Sequence, residues 1–425
     1  MVGTEKCLPF AVCSLLSGDM TALKRYQYAN RNTDTTFVYQ LWRTNAVIST
    51  SDFLERLGNE VMIFNREYNE KEMFSAWNRL RRKFRVLVSN VCKKCLGLPI
   101  SRGITESEEK IIRQFTNKFI ERYHHSSRNL YTSLQLKASI SEWKPDAIVV
   151  GSDQVWRPVY SPMISNYFLD FAQGWNVRRI AYAASFGVND WEFTPNETKQ
   201  CSDLLKLFDA VSVRENSGVS LCKEHLGVDA KHVLDPTLLL DKDFYIDIVH
   251  KEHQQVVSGD LFCYLLDIDD TKRQIIREVS GFTCMSAFYC MPKLPITSEN
   301  VKNHIVQCIY PSPAKWIRSF MDAQMVLTDS FHGAVFSIIF NKPFWVLCNE
   351  GRGAARFDSL LEVFGLKERM IDVQHINEIN WVETIDWGRV NAIREEKKRE
   401  SMLFLKSALG IFPQVKSKGQ SQRAS

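Results

Sequence analysis

Short hydrophobic runs alternate with helical periodicity from about residue 145 to residue 370. Apolar runs of four to six residues bounded by Gly, Pro, Asp or Ser predict buried strands, and apolar positions spaced three or four apart predict helices. Strands that alternate with helices are typical of a parallel sheet covered by helices, so the fold class is α/β. The predicted strands span residues 147–150, 179–184, 210–213, 232–234, 261–266, 285–290, 325–328 and 344–348.

A polar break divides this alternating region. The sequence Leu-Asp-Pro-Thr at 234–237 is followed by charged residues at 241–243. Because Pro236 cannot continue a strand ladder and polar residues suit a surface, the break predicts an exposed linker between two domains. A final helix over 387–409 is expected to return to the first domain. The predicted domains are 1–235 and 236–412, followed by a polar, disordered tail at 413–425.

A helical insert is predicted in the first domain, at about residues 70–140. Within it, residues 74–91 carry one apolar stripe and a cluster of Arg and Lys on the opposite face. Two interpretations stay open: an ordinary surface helix with a solvated basic face, or a helix that makes peripheral contact with an anionic membrane leaflet or a lipid-linked carrier.

Composition narrows the class of protein. The 425 residues include 54 Lys and Arg against 49 Asp and Glu, a net charge of +5, which gives no global case for nucleic-acid binding. The 11 cysteines form no regular framework, so reduced thiols in a cytoplasmic protein are expected. No apolar run approaches the roughly 20 residues that span a bilayer. We therefore expect a soluble cytoplasmic protein, associated with the inner face of the membrane if the basic helix binds it.

Ligands of parallel α/β sheets bind beyond the carboxyl ends of the strands. Four predicted strands end there in polar or small residues, and the fourth is the most informative, because a helix is predicted from Phe331 to Phe340. His332 then lies in the first turn, with Asp329 or Ser330 as the cap, where the helix dipole favours anions. Its imidazole either contacts an anionic ligand or satisfies a neighbouring carbonyl. The candidate residues at the four strand ends are Asp153, Ser185, Arg214, Ser330, His332 and Gly333.

The charged candidates also have two interpretations each. Arg214 either grips an oxyanion or pairs with Glu215 or another acid. Asp153 either acts as a base or hydroxyl acceptor, or caps a helical turn. Arg352 and Arg356, in the loop after the last predicted strand, are further candidates for binding an anion, and Gly333 would allow close approach of a ligand.

Several familiar signatures are missing from the sequence. It has no phosphate-loop lysine motif, no GxGxxG after a strand and no GxSxG elbow. A small anionic substrate therefore fits better than a dinucleotide. Since no carboxylate cluster has metal-ligand spacing, we expect a metal-independent site.

The sequence resembles the polysaccharide pyruvyl transferase family over about residues 55–405. The resemblance rests on several motifs in the right order, which together are far more specific than any one of them. These are DAIVVGSDQVW at 146–156, IAYAASFG at 180–187, VSVRE at 211–215, VLDPT at 233–237, LTDSFHG at 327–333 and RFDSLL at 356–361.

The resemblance implies two Rossmann-like domains facing a cleft, a GT-B-like arrangement. It also implies transfer of the pyruvyl group of phosphoenolpyruvate to two hydroxyls of a sugar in a glycan or lipid-linked oligosaccharide, with no further cofactor. The donor-binding arginine of the family falls on Arg214, its donor-site histidine on His332 and an acidic first-domain residue on Asp153. Some members have arginine at the position of Ser330, so the second cation either comes from Arg352 or Arg356 or is missing.

One feature of the family is not recognisable in the sequence. Members usually begin with a strand and an Asn/Gly-rich loop, and residues 1–50 show no such motif. Two other functions therefore stay open. One is a GT-B nucleotide-sugar glycosyltransferase, because one fold hosts many activities. The other is a non-catalytic homologue that binds a glycan or metabolite.

Overall fold

The computed structural model describes residues 9–13, 49–66, 103–123, 125–161, 163–347, 355–371, 376 and 379–411. The basic helix predicted at 74–91, residue Arg352 and the tail at 413–425 lie outside these residues. The described chain contains two all-parallel sheets, which confirms the α/β prediction.

The first sheet has the strand order β2-β1-β3-β4-β5-β6. Strand β3, with the sequence Ala-Ile-Val-Val, is buried on both faces, as a helix-covered parallel strand requires. The strands are β1 (Pro9–Cys13), β2 (Glu60–Ile63), β3 (Ala147–Val150), β4 (Arg178–Ala184), β5 (Ala210–Val213) and β6 (Lys231–His232).

Strand β1 corrects the view that the first 50 residues lack the family's opening strand. It lies between β2 and β3 and pairs with both in parallel. Pro9 is the first residue of the strand, which is the position where a proline disturbs a ladder least.

The second sheet has the order β11-β10-β9-β7-β8. Strands β7 and β9 lie side by side in register from Leu261 opposite Met325 to Tyr264 opposite Thr328. Its strands are β7 (Leu261–Tyr264), β8 (Ala287–Phe288), β9 (Met325–Thr328), β10 (Phe344–Leu347) and β11 (Met370–Ile371).

Helices cover both sheets. Many begin at Ser, Thr or Asp caps, such as Thr132, Thr194 and Ser312, whose side chains accept a backbone N–H bond. They are α1 (Glu106–Ile112), α2 (Gln114–Tyr123), α3 (Ser133–Trp143), α4 (Pro195–Leu205), α5 (Asn216–Leu221), α6 (Lys242–Lys251), α7 (Asp270–Thr283), α8 (Ser298–His304), α9 (Pro313–Asp322), α10 (Phe331–Ile339), α11 (Ala355–Phe364) and α12 (Trp387–Leu409). Another helical stretch covers residues 49–56.

The crossing between the sheets is buried, so the prediction of an exposed linker is wrong here. Pro236–Leu239 form a 3-10 turn in which every residue is buried. Leu238 and Leu239 belong to a hydrophobic core to which both sheets contribute, including Val149 of β3 and Val326 of β9. Burial of these leucines holds the polar Asp235 in the interior, and exposure begins only at Asp241.

Other contacts also join the two halves. Helix α12 returns to the first sheet as predicted, since Arg178 of β4 donates to the carbonyl oxygen of Ala408 at 3.2 Å. Helix α1, which precedes β3 in the chain, packs instead on the second half, where the N–H of Tyr310 donates to the carbonyl oxygen of Ile112 at 3.0 Å. The two sheets therefore share contacts along several surfaces.

Candidate active site

Arg214 is the first residue after β5, and its side chain is 1% exposed. One terminal nitrogen, Nη1, donates to Oδ2 of Asp235 at 2.7 Å, and Nη2 donates to Oδ1 of Asp153 at 3.2 Å. Arg214 therefore pairs with acids, Asp235 and Asp153, and its binding of an oxyanion stays a prediction. Arg214 thus connects the loop after β3 to the crossing between the sheets.

Asp235 is the residue that the sequence analysis missed. It was treated as part of a linker, yet its carboxylate is buried and its Oδ1 accepts from the N–H and hydroxyl of Thr237 at 3.0 and 2.7 Å. Burial by itself raises the pKa of Asp235, but His332 and Arg214 hold it well below its usual range. The available signal was its position directly after a predicted strand, at the edge where ligands bind.

His332 lies in the first turn of α10, as predicted, and is fully buried. Its Nε2 is 3.6 Å from Oδ2 of Asp235. Burial lowers the pKa of His332, and the attraction of Asp235 opposes part of that shift. A carboxylate beside a buried imidazole orients the histidine for proton transfer and stabilises its protonated form.

Arg356 brings a second guanidinium to the cluster. It was predicted in a loop, but it is the second residue of helix α11 and is 5% exposed. Its Nη1 is 4.0 Å from Oδ1 of Asp153. The side-chain amide of Gln154 lies within 3.3 Å of both terminal nitrogens of Arg356. In the orientation that turns the amide oxygen toward Arg356, this oxygen accepts a hydrogen bond from each of the two nitrogens.

The ring of Phe331 lies under both guanidinium groups. The Cζ of Arg214 is 4.5 Å from the ring centroid and that of Arg356 is 5.6 Å from it. Both distances fall within the range of a cation–π contact. Phe331 comes directly before His332 in α10, so one helical turn contacts both arginines.

Together, these residues form a buried cluster across the two sheets. Asp153, Arg214 and Asp235 follow strands of the first sheet, and His332 and Arg356 belong to helices of the second half. The guanidinium groups of Arg214 and Arg356 face the carboxylates of Asp153 and Asp235, with His332 beside them and the buried carboxylate of Glu215 also acting on Arg214. The cluster is therefore close to charge balance, whereas the sequence analysis expected a cationic site.

A known protein family matches most of this chain. The model of the family described as polysaccharide pyruvyl transferase matches residues 45–350. This chain belongs to that family. The match includes Asp153, Arg214, Asp235 and His332, and its last residues precede helix α11.

Solved structures match across almost the whole chain at low identity. UDP-GlcNAc 2-epimerase from Methanocaldococcus jannaschii, in complex with UDP-GlcNAc and UDP, is 12% identical with a TM-score of 0.45, covering 94% of this chain and 99% of its own. UDP-GlcNAc 2-epimerase from Neisseria meningitidis bound to UDP-GlcNAc is 11% identical with a TM-score of 0.44, covering 95% and 99%. No curated protein matches the sequence significantly.

The remaining candidates have structural contacts in this pyruvyl transferase homologue. The hydroxyl of Ser185 donates to Oε1 of Glu215 at 3.0 Å, and the same oxygen accepts from the N–H groups of Phe186 and Gly187. Glu215 therefore ties the turn after β4 to the end of β5. Contact of Ser185 with a substrate stays a prediction.

The expected capping of α10 is wrong in detail. Ser330 occupies the N-cap position, but its side chain makes no capping hydrogen bond. Asp329 faces the other way: it accepts from the N–H of Leu266 at 2.7 Å and pairs with Lys272 at 2.6 Å. Pairing with the buried Lys272 satisfies Asp329 better than an N–H of α10 would, because both partners are charged.

The described part of the chain carries neither a metal-binding group nor a membrane-spanning helix. Within the ranges that the structure describes, no three His, Cys, Asp or Glu side chains are grouped so that they could hold a metal ion. The described helices also include none that is long and apolar enough to cross a bilayer.

Gly333 has a packing role that the sequence analysis did not foresee. A Cβ atom here would lie 2.0 Å from Oγ1 of Thr328, so the missing side chain lets α10 approach β9. We expect Gly333→Ala to lower the free energy of unfolding by about 1–3 kcal/mol, measured by urea denaturation.

A matched control is available in helix α7. A Cβ atom at Gly281 would meet nothing within 4 Å, so Gly281→Ala is expected to leave stability unchanged or raise it by up to about 1 kcal/mol. Equal stabilities of the two variants would refute the packing role of Gly333.

Proposed function

We propose that this chain transfers the pyruvyl group of phosphoenolpyruvate to two hydroxyls of one sugar in a glycan or lipid-linked oligosaccharide, forming a cyclic ketal and releasing phosphate. The observation that carries this proposal is the buried meeting of Arg214, Asp153 and His332 beside Asp235. Family membership supports transfer of a pyruvyl group, and the cluster supplies two cations, a histidine and a carboxylate without a nucleotide motif.

The lengths of the contacts at Arg214 indicate which carboxylate the donor replaces. Its bond to Asp235 is the shorter, at 2.7 Å, and Asp235 has further partners in Thr237. The contact with Asp153 is longer, at 3.2 Å, and Asp153 is 4.0 Å from Arg356. The donor anion therefore replaces Asp153 at both arginines, while Asp235 continues to hold Arg214 in place.

Replacement by the donor anion at the two arginines prepares Asp153 to act as a base. A carboxylate released from two guanidinium groups is a stronger base, because nearby cations lower the pKa of a carboxyl group. Asp153 then accepts a proton from a sugar hydroxyl as that oxygen attacks. Binding of the donor and activation of the acceptor are coupled through one side chain.

His332 supplies the proton that the donor needs. Burial lowers the pKa of the imidazole in the free protein, and the arriving phosphate and carboxylate groups of the donor raise it, because negative charges favour the protonated form. Protonation of the donor methylene carbon makes a methyl group and leaves the adjacent carbon electron-deficient. Asp235 stabilises the charged imidazole throughout.

The proposed steps balance in atoms and charge. One sugar oxygen forms a bond to C2 of the donor, the C2–O bond to phosphate breaks, and the second sugar oxygen then bonds to C2. The two sugar hydroxyls release two protons. One of them replaces the proton that His332 gives to the methylene carbon, and the other is bound by the departing phosphate, which leaves as hydrogen phosphate. The scheme consumes no oxidant, reductant or metal ion.

The first test is calorimetric titration of phosphoenolpyruvate into the full chain. Saturable binding is expected, with at least about tenfold weaker binding in Arg356→Met, since one charge-assisted contact is lost. Arg318→Met is the control, because Arg318 pairs with Asp322 on helix α9 outside the cluster. Binding of a nucleotide sugar with no detectable binding of phosphoenolpyruvate would contradict the proposal.

The second test measures turnover. Phosphate release is followed while galactosides and mannosides are offered as acceptors, with the donor alone as blank. Release that depends on an acceptor supports the proposal. Donor binding with no turnover on any glycan acceptor would favour a non-catalytic binding protein.

A further inference from the structure

The guanidinium groups of Arg214 and Arg356 lie close together in the cluster, where both contact Asp153. Arg214 follows a strand of the first sheet and Arg356 lies on a helix of the second half, so they reach the cluster from different elements. Like charges repel, and a pair of buried cations needs something to hold it together. Asp153 lies between them, but a donor anion must displace it.

The ring of Phe331 remains when Asp153 moves away. Its face attracts cations through the negative charge of the π-system, and it lies 4.5 Å from the Cζ of Arg214 and 5.6 Å from the Cζ of Arg356. Phe331 itself is held in place, since it is 4% exposed and packs edge-on against Phe357 of helix α11.

We propose that Phe331 is a positioning residue for the donor: its ring holds the guanidinium groups of Arg214 and Arg356 as a pair, which receives the carboxylate and phosphate groups of phosphoenolpyruvate. This inference rests on the proposed function. It goes beyond that function by assigning the spacing of the two cations to an aromatic ring that touches no reacting atom.

The location of Phe331 strengthens this assignment. It is the first residue of helix α10 and His332 is the second, so one turn of backbone sets the positions of the arginine pair and of the proton donor relative to each other. Because the ring contacts both guanidinium groups directly, a loss of negative charge from its face should weaken donor binding.

The test replaces Phe331 with phenylalanine analogues carrying one, two and three ring fluorines. Fluorine withdraws charge from the ring face and removes the cation attraction while nearly preserving the shape. We expect the Kd for phosphoenolpyruvate to rise stepwise, by about tenfold in Phe331→3,4,5-trifluorophenylalanine.

Phe336 is the matched control on the same helix. It is fully buried, and its aromatic neighbours include Tyr245, Trp316 and Phe320. The same fluorinated series at Phe336 should leave the Kd unchanged, which separates the charge of the ring from general effects of fluorine in a core.

The outcomes separate this inference from the proposed function. If the natural protein binds phosphoenolpyruvate and the Kd does not change along the Phe331 series, the positioning role is overturned and the proposed function stands. If the natural protein does not bind phosphoenolpyruvate at all, both are overturned. A graded rise at Phe331 with no change at Phe336 supports the inference.

Discussion

Arg214→Met is expected to lower the free energy of unfolding by about 3–5 kcal/mol at pH 7 and to abolish binding of phosphoenolpyruvate. The substitution keeps an apolar side chain of similar length but leaves the carboxylates of Asp235 and Asp153 without their shared cation. Asp235 is buried, so it cannot exchange the lost contact for water. Urea denaturation and calorimetric titration of the same preparation measure both effects.

The paired variant Asp235→Asn tests whether this loss comes from the ion pair. Because each single variant leaves one charge stranded, the double variant Arg214→Met/Asp235→Asn should be less destabilised than the sum of the singles. Additive losses would contradict a direct coupling between the two side chains.

The loss of stability caused by Arg214→Met should change with pH in one direction. The pKa of Asp235 is lowered in the folded protein, so its contribution to stability is present above its unfolded pKa of about 3.9 and is lost as the pH falls through the folded value. Arg214→Met removes part of the attraction that lowers the pKa of Asp235, so the folded pKa of Asp235 should move up toward its unfolded value. The stability difference between the natural protein and the variant should therefore narrow on acidification.

His332→Gln is expected to reduce kcat/KM by about 10²–10⁴ while the protein stays folded. Glutamine donates and accepts hydrogen bonds but carries no transferable proton, so the loss reports proton transfer. Phosphate release with a competent acceptor is the measurement. Activity within threefold of the natural protein would remove His332 from the proposed chemistry.

His232 provides the control for this substitution. It is also shielded from solvent, and its Nε2 lies 3.0 Å from the carbonyl oxygen of Arg214, outside the charged cluster. His232→Gln should preserve most of the turnover.

Since burial lowers the pKa of both His332 and His232, each contributes stability that is complete above about pH 6.5 and is lost as the pH falls toward its folded pKa.

Much of the fold was predictable because burial on both faces of a parallel strand leaves a clear apolar run. Strands β3, β5 and β9 match their predicted bounds, and β4 differs by one residue. Strand β1 was missed because Pro9 within a short apolar stretch argues against a strand, and its pairing partners lie far away in sequence.

The site was predictable in part for a related reason. Arg214 and His332 follow directly from strand ends, but their partners depend on which strands become neighbours. Asp235 was misjudged because polar residues beside a proline resemble an exposed linker, and its burial depends on Leu238 and Leu239 entering a shared core. The contact of Phe331 with two arginines has no sequence signal, since it joins elements far apart in the chain.

The most direct test of the central claim follows the donor carbon itself. The protein is incubated with phosphoenolpyruvate labelled with ¹³C at C2 and an acceptor glycan, and the products are examined by NMR. We predict that the label appears as a ketal carbon bonded to two sugar oxygens, with an equal amount of phosphate released. Label that remains in phosphoenolpyruvate, or appears only as free pyruvate, with every acceptor tested would contradict the account.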